Sequence, residues 1–346
     1  MNSNIVTPNF SGLINQAKAE AGPPKEMMSV RQDGDQTIVK INSSSLSLLQ
    51  TCARKSYYSL NQKWKSRLGS PPLIYGSAIH KAMEVFYEHT SKERNIPDNF
   101  EASVEAMAHG SASPEPHFLY SAIEAFIKAA EPLRNLPDTD KRSISSGCWV
   151  LSHYFKTYIN DTYVIHSDSL GPIVERRFHI PYYDSPDLKI ELFGQIDFAL
   201  RNEITGEVIV GDHKTSSRLG SEFLNRIKPN HQYTGYLIGA HATLGVDGEH
   251  FMVNGIQVKA RPLTSRGGPP SFTRQITRRT KEDFEEFKEA LVDSVRSYLR
   301  WSATGIWPIG VVDACANYGS CQYLDVCSQP NELRQNILEA KFERDI

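Results

Sequence analysis

Three short segments between residues 173 and 216 constrain the fold of this chain more than any other feature. IVERRFHIPYY, LKIELFGQIDFAL and EVIVGDHKTSS are rich in β-branched and aromatic residues and are separated by turn signals, the pattern of successive strands. Asn202–Gly206 (NEITG) reads as the loop of a hairpin joining the second strand to the third. The third segment ends its apolar run in Gly211, Asp212, His213 and Lys214. Two charges placed directly behind such a run are costly to bury unless they serve a purpose there.

Helical periodicity surrounds this centre. Ser43–Leu60 opens with serines suited to capping and spaces its leucines on one face. A second helix is expected from near Gly76, with Ile79, Met83 and Phe86 at i, i+4 and i+7 as a buried stripe. Residues 92–140 are rich in Pro, Ser and charge, with helical pieces such as Tyr120–Ala130. They belong to a helical insertion spanning about residues 90–165. After the three strands, the pattern predicts a helix over Pro229–Ala242 and strands around FMVNGIQVKA and SFTRQITR. A long helix then runs from Lys281 to about Ser302, with Phe284, Phe287, Leu291 and Val295 on one face. This order is mixed α/β. Residues 1–40 read as a flexible N-terminal arm, 41–335 as a single domain that includes a cysteine-rich clasp at 305–330, and 336–346 as a C-terminal tail. No GxxxxGK[ST] phosphate loop is present, so no nucleotide-driven motor is visible.

The most informative chemistry lies in Gly194-Gln195-Ile196-Asp197, followed fifteen positions later by Asp212-His213-Lys214. Asp212 and Lys214 are two apart on a strand, so their side chains leave the same face. With Asp197 at the end of the neighbouring strand, two carboxylates and an ammonium can converge. Hard divalent cations take oxygen ligands of this kind, and such a metal acidifies a bound water and offsets charge on a phosphate. Lys214 could orient that water or stabilise the developing oxyanion. A solvated Asp–Lys pair is the plainer alternative.

Four elements occur in order: Gly76-Ser77-Ala78-Ile79-His80, Gly194-Gln195-Ile196-Asp197, Asp212-His213-Lys214, and Gln232 with Tyr236 four residues on. Together they resemble the core of the PD-(D/E)XK nucleases, in particular the RecB/AddB branch with its G-x-x-x-H, G-x-(I/V)-D, (D/E)-x-K and Q-x-x-x-Y motifs. The resemblance covers roughly residues 43–330. It implies a restriction-endonuclease-like α/β core, a mixed central sheet flanked by helices. It further implies that His80, Asp197 and Asp212 bind Mg²⁺ or Mn²⁺, with Glu175 as an additional or supporting ligand. Catalytic roles fall to Asp197, Asp212, Lys214 and His80, and DNA contacts to Gln232 and Tyr236. Asp212 stands where many relatives carry Glu, which shortens the arm without changing the ligand type. His213 should point away from the metal.

Five cysteines are present, at positions 52, 148, 315, 321 and 327. Cys315, Cys321 and Cys327 are spaced C-x5-C-x5-C, and Cys52 precedes them by 263 positions. Three thiolates plus a distant fourth suit an iron–sulfur cluster or zinc, and spacing does not choose between them. The resemblance to AddB-type and CRISPR-adaptation nucleases implies a [4Fe–4S] cluster on Cys52, Cys315, Cys321 and Cys327. Cys148, beside Trp149, reads as a core residue.

A formal charge of −2 argues against a coating or histone-like binder but not against a nuclease whose metals supply local positive charge. Arg54-Lys55, Lys63-Trp64-Lys65-Ser66-Arg67 and the stretch Arg274–Lys281 are the main basic clusters, with Trp64, Tyr57 and Tyr58 interleaved as candidate base-stacking residues. No apolar run reaches membrane-span length and no secretory pattern is visible, so a cytoplasmic protein of a bacterial, archaeal or phage-infected cell is expected. The sequence leads to a metal-dependent DNA exonuclease in recombination, repair or phage DNA processing, with a helicase or recombination protein as a further partner. The rival is a non-catalytic DNA-end-binding scaffold, which would have no need of Asp197, Asp212 and Lys214 together.

Overall fold

A computed structural model describes residues 27–67, 69–90, 93–111, 114–262, 268–311, 313–316 and 320–345. Its centre is β5 (Leu188–Asn202), a 15-residue strand long enough to hold several partners. On one edge it pairs antiparallel with β4 (Val174–Asp184) and then with β3 (Tyr163–Ile165). On the other edge β2 (Gln36–Ile41) runs parallel to Leu188–Leu192, and β6 (Val208–Ser216) runs antiparallel to Phe198–Arg201. Between those two partners, residues Phe193–Asp197 have no strand neighbour on that edge among the described residues. This notch locates the functional site. The sheet continues through β7 (His250–Gln257), parallel to β6, to β8 (Phe272–Arg278), antiparallel to β7, while β1 (Met28–Asp33) closes the opposite end.

Alternation along the strands feeds two cores, one on each face. One face carries α2 (Pro71–His89), α4 (Phe118–Ala129) and α5 (Ile144–Tyr158), whose Ile79, Met83, Phe86, Phe126 and Phe155 pack on Phe198, Ile209 and Met252. The helix α3 (Phe100–Ala108) completes this layer. The other face carries α1 (Ser43–Thr51), α6 (His231–Leu244) and α7 (Lys281–Thr304), whose Leu46, Leu237, Phe287 and Leu291 cover Ile190, Val210 and Val253. The result is a restriction-endonuclease-like α/β fold: a mixed central sheet flanked by helices. A Cβ on Gly194 would lie 2.7 Å from the Phe178 ring and 3.2 Å from Tyr236, so glycine is what lets α6 settle this close to β5.

Three parts of the chain depart from expectation. Residues 28–40, assigned to the arm, form the β1–β2 hairpin together with Ile41. Its turn holds Gly34 at φ +60°, a left-handed conformation that suits the Asp33-Gly34 step. Residues 1–26 of the expected arm lie outside the described residues. The Ser43–Leu60 helix breaks at Cys52, whose backbone is extended. The break lets Arg54 N–H donate to the Pro308 carbonyl and sets Cys52 Sγ against the Gly310 N–H at 3.2 Å. Residues 336–346 are no loose tail. They carry the end of α8 (Asn331–Lys341) and a strand, Phe342–Arg344, paired with Trp64–Ser66, because Leu338 and Phe342 bury against Tyr323 and Trp64. No described helix is long and apolar enough to cross a membrane.

Candidate metal centre and active site

The ladder between β5 and β6 ends at the pair Phe198–Gly211. One residue further along the diverging strands stand Asp197 and Asp212, both buried. In place of a ladder bond, the main-chain N–H of His213 donates to Asp197 Oδ2 at 2.7 Å. The strands therefore part where the two acids sit, and one carboxylate closes the backbone account of the opening.

His80 enters from α2. Its Nε2 lies 3.0 Å from the His213 carbonyl, which can only accept, so this nitrogen carries the hydrogen. In the neutral ring Nδ1 then presents its lone pair to the acids, 3.3 Å from Asp197 and 3.7 Å from Glu175. This is how a backbone carbonyl orients a ligating imidazole. Glu175 comes from β4, where it stands opposite Asp197 between the pairs Val174–Phe198 and Arg176–Ile196. Its φ of +49° is left-handed, a conformation that costs a non-glycine residue on the order of 1–3 kcal/mol and collects at functional sites. The Gln195 amide donates to its other oxygen. One ligand atom each from His80, Glu175 and Asp197 lies within 4.8 Å of the others.

Asp212 flanks this group without joining it. The Lys214 Nζ lies 2.5 Å from Asp212 Oδ2, yet it is off the direction of a hydrogen bond, and this buried oxygen has no hydrogen-bond partner. Of the four expected residues, the structure brings His80, Glu175 and Asp197 together and leaves Asp212 beside them. Electrostatics agree that the pocket wants a cation. Burial, then the Asp212 charge, raises the Asp197 carboxyl far above the carboxylate range. For His80, burial acts downward, but Asp197, Glu175 and Asp212 outweigh it and lift the ring to about 9. For Lys214, burial also acts downward and Asp212 prevails, so the ammonium stays charged. A donor set of two carboxylates and one imidazole within 4.8 Å of one another fits a divalent metal ion.

Gln232 and Tyr236 lie beside the centre. Gln232 Nε2 donates to the Tyr236 hydroxyl at 2.8 Å, and Tyr236, packed on Phe178 and Phe251, feels the charges of Asp212 and Lys214. His213 points to the opposite face, as expected. There it joins a buried network that sequence reasoning missed. Asn254 Nδ2 lies 2.7 Å from both His213 Nδ1 and the Tyr154 hydroxyl. Tyr154 pairs with the Tyr87 hydroxyl at 2.7 Å, which accepts from Arg274. The one available signal was Asn254, a polar interruption of the apolar run in β7.

The basic clusters are corrected in part. Arg274 is committed to Asp161 and Tyr87. Arg279 is fully buried, donating to Thr234, Thr277 and the carbonyls of Ile227 and Asn230. Trp64 and Tyr58 are buried as well and do not offer free faces for stacking. Buried hydrogen bonds and ring packing, not a solvated face, use these four residues.

The cysteines share one corner. Cys321 N–H donates to the Cys315 carbonyl at 2.8 Å. Burial raises the Cys327 thiol, and the nearby Cys321 and Cys52 push it the same way. Among the described residues their sulfurs do not close into a compact ligand group. Cys148 is buried in α5, its thiol pushed up to about 12 by burial.

No curated protein sequence matches the chain. The profile of the PD-(D/E)XK nuclease superfamily, whose members use divalent metals, matches residues 40–328. With a mixed sheet, a D-x-K strand and side chains that could hold a metal ion at the parting of β5 and β6, the chain belongs to the PD-(D/E)XK nuclease superfamily.

Proposed function

We propose that this chain is a metal-dependent DNA exonuclease of the RecB-like branch, hydrolysing phosphodiester bonds in DNA recombination, repair or phage DNA processing. The observation that carries the reading is the convergence of His80, Glu175 and Asp197 within 4.8 Å, flanked by the Asp212–Lys214 pair. When bound there, Mg²⁺ or Mn²⁺ would acidify a water and neutralise the phosphate. His80, Glu175 and Asp197 would hold the ion, with Asp212, ion-paired to Lys214, beside them. Because Lys214 stays protonated, it serves as an orienting donor to the attacking water or to the phosphate oxygens rather than as a base. Gln232 and Tyr236 would contact the strand. DNA ends could be delivered by a helicase or recombination partner.

The test is digestion of end-labelled linear DNA and covalently closed circular DNA of the same sequence, with Mn²⁺, Mg²⁺ or chelator. Metal-dependent loss of linear DNA with circles intact is expected. Equal cutting of circles would replace the exonuclease reading with an endonuclease, and no digestion in any metal would remove the nuclease reading.

We further infer that Cys52, Cys315, Cys321 and Cys327 hold a [4Fe–4S] cluster that ties the N-terminal helices to the C-terminal segment across a very long loop. Their common corner supports this, and zinc would suit the same four thiolates. Protein purified without oxygen should be brown with iron and sulfide bound. Colourless protein with stoichiometric zinc would rule the cluster out.

A further inference from the structure

We propose that Asn254 is a positioning residue of the metal centre, acting through the His213 side chain and braced by Tyr154. The proposal rests on the metal-site reading of His80, Glu175 and Asp197. Two of those three candidate ligands are held by the main chain of His213. Its N–H donates to Asp197 Oδ2 at 2.7 Å, and its carbonyl accepts from His80 Nε2 at 3.0 Å. Both groups face the edge that β5 has left, since the β5–β6 ladder ends at Phe198–Gly211. No strand partner fixes His213 on that side, so the anchorage of its ring decides where the two ligands are aimed.

That ring ends a row of three side chains on successive strands. Asn254 on β7 stands opposite His213, and Arg274 on β8 stands opposite Asn254. The Asn254 amide nitrogen donates to His213 Nδ1 and to the Tyr154 hydroxyl, both at 2.7 Å. Tyr154 meets the Tyr87 hydroxyl at 2.7 Å, and Tyr87 accepts from Arg274, which pairs with Asp161. The Tyr87 ring also stacks on His213, with 5.4 Å between centroids and 22° between planes. Tyr87 stands about two turns beyond His80 on α2. One helix thus holds His213 twice, at the carbonyl through His80 and at the ring through Tyr87.

A second observation separates this role from plain stabilisation. Asn254 is fully buried, and its Oδ1 has no hydrogen-bond partner among the described residues. A buried acceptor left unpaired costs stability that an apolar side chain of similar shape would not. Stability alone therefore gives no reason for an amide here. Fixing the orientation of metal ligands does, because partners behind the ligands set their direction and hence the affinity of the site.

The test measures Mn²⁺ binding to the full chain without DNA, below the melting temperature of every variant. Asn254→Ala removes the donor, and Tyr154→Phe removes one hydroxyl with little change of shape. Leu151→Ala, buried in the same helical layer but outside the network, is the comparison for destabilisation alone. The Mn²⁺ dissociation constant should rise about ten- to a hundredfold in Asn254→Ala and at least about threefold in Tyr154→Phe. In Leu151→Ala it should stay within about twofold of the parent, since no ligand partner is lost. Because the amide acts through the ring, Asn254→Ala should add no further rise in a His213→Ala chain. A parent-like constant in Asn254→Ala, an equal rise in Leu151→Ala, or fully additive effects with His213→Ala would each overturn the proposal. Should Asn254→Ala not fold, Tyr154→Phe decides in the same way. A parent that binds no Mn²⁺ sinks the metal-site reading together with this inference, whereas parent binding that the network variants leave unmoved sinks the inference alone.

Discussion

Asp197→Asn is expected to lower DNA cleavage by about a thousandfold or more, since it removes the buried carboxylate at the centre of a metal site that supplies several kcal/mol to the transition state. The amide is isosteric and its oxygen can still accept the His213 N–H, so the parting of β5 and β6 should persist. Stability should move the other way. The folded Asp197 carboxyl is raised, by burial and by Asp212, to about 8. The folded chain therefore keeps a proton that the unfolded chain releases near pH 4, and stability falls as pH climbs from about 4 towards about 8. His80 is raised to about 9 despite burial, chiefly by Asp197. Its contribution is complete below about pH 6.5 and is lost as pH rises towards 9, so both slopes have one sign. Metal binding must expel these protons, and affinity should climb across the same window. Thermal melts from pH 5 to 9 check this: the chelated parent should lose stability with pH and regain it with Mn²⁺. In Asp197→Asn the slope should flatten and the Mn²⁺ shift should shrink. A variant that cleaves within tenfold of the parent contradicts the assignment.

The central sheet was legible because its strands are apolar, β-branched and bounded by turns. The hairpin at residues 28–41 was not. All but one of the residues of β1 are partly or fully exposed, as suits an edge strand, so it carries little apolar rhythm. The C-terminal helix escaped notice for a similar reason: Leu338 is its one buried residue. At Cys52 the helical pattern continues in sequence, and the break is decided by contacts with Pro308 and Gly310, some 250 residues away.

The site was legible in its residue types more than in its geometry. Asp197, Asp212 and Lys214 follow from strand periodicity once the hairpin is recognised. That Asp212 turns to Lys214 while Glu175 turns to His80 depends on where the β5–β6 ladder stops and on one left-handed residue in β4. Neither leaves a mark in residue spacing. The network from His213 through Asn254 and Tyr154 to Tyr87 and Arg274 joins positions up to 187 residues apart, and only the packed fold brings them together.

In the proposed mechanism this acidic centre uses metal to cut DNA, with Lys214 as its positively charged assistant. Lys214→Ala separates ligation from chemistry. Lys214 cannot ligate a cation while protonated, and its removal frees the Asp212 oxygen that it pairs with, so Mn²⁺ should bind at least as well as in the parent. Losing an oriented donor at the site of charge development costs about a hundred- to a thousandfold in rate. The decisive measurement is single-turnover digestion of end-labelled linear DNA by parent and Lys214→Ala at equal, spectroscopically measured Mn²⁺ occupancy. Full Mn²⁺ binding with cleavage reduced at least about a hundredfold is the predicted result. Cleavage at the parent rate by Mn²⁺-loaded Lys214→Ala would contradict it.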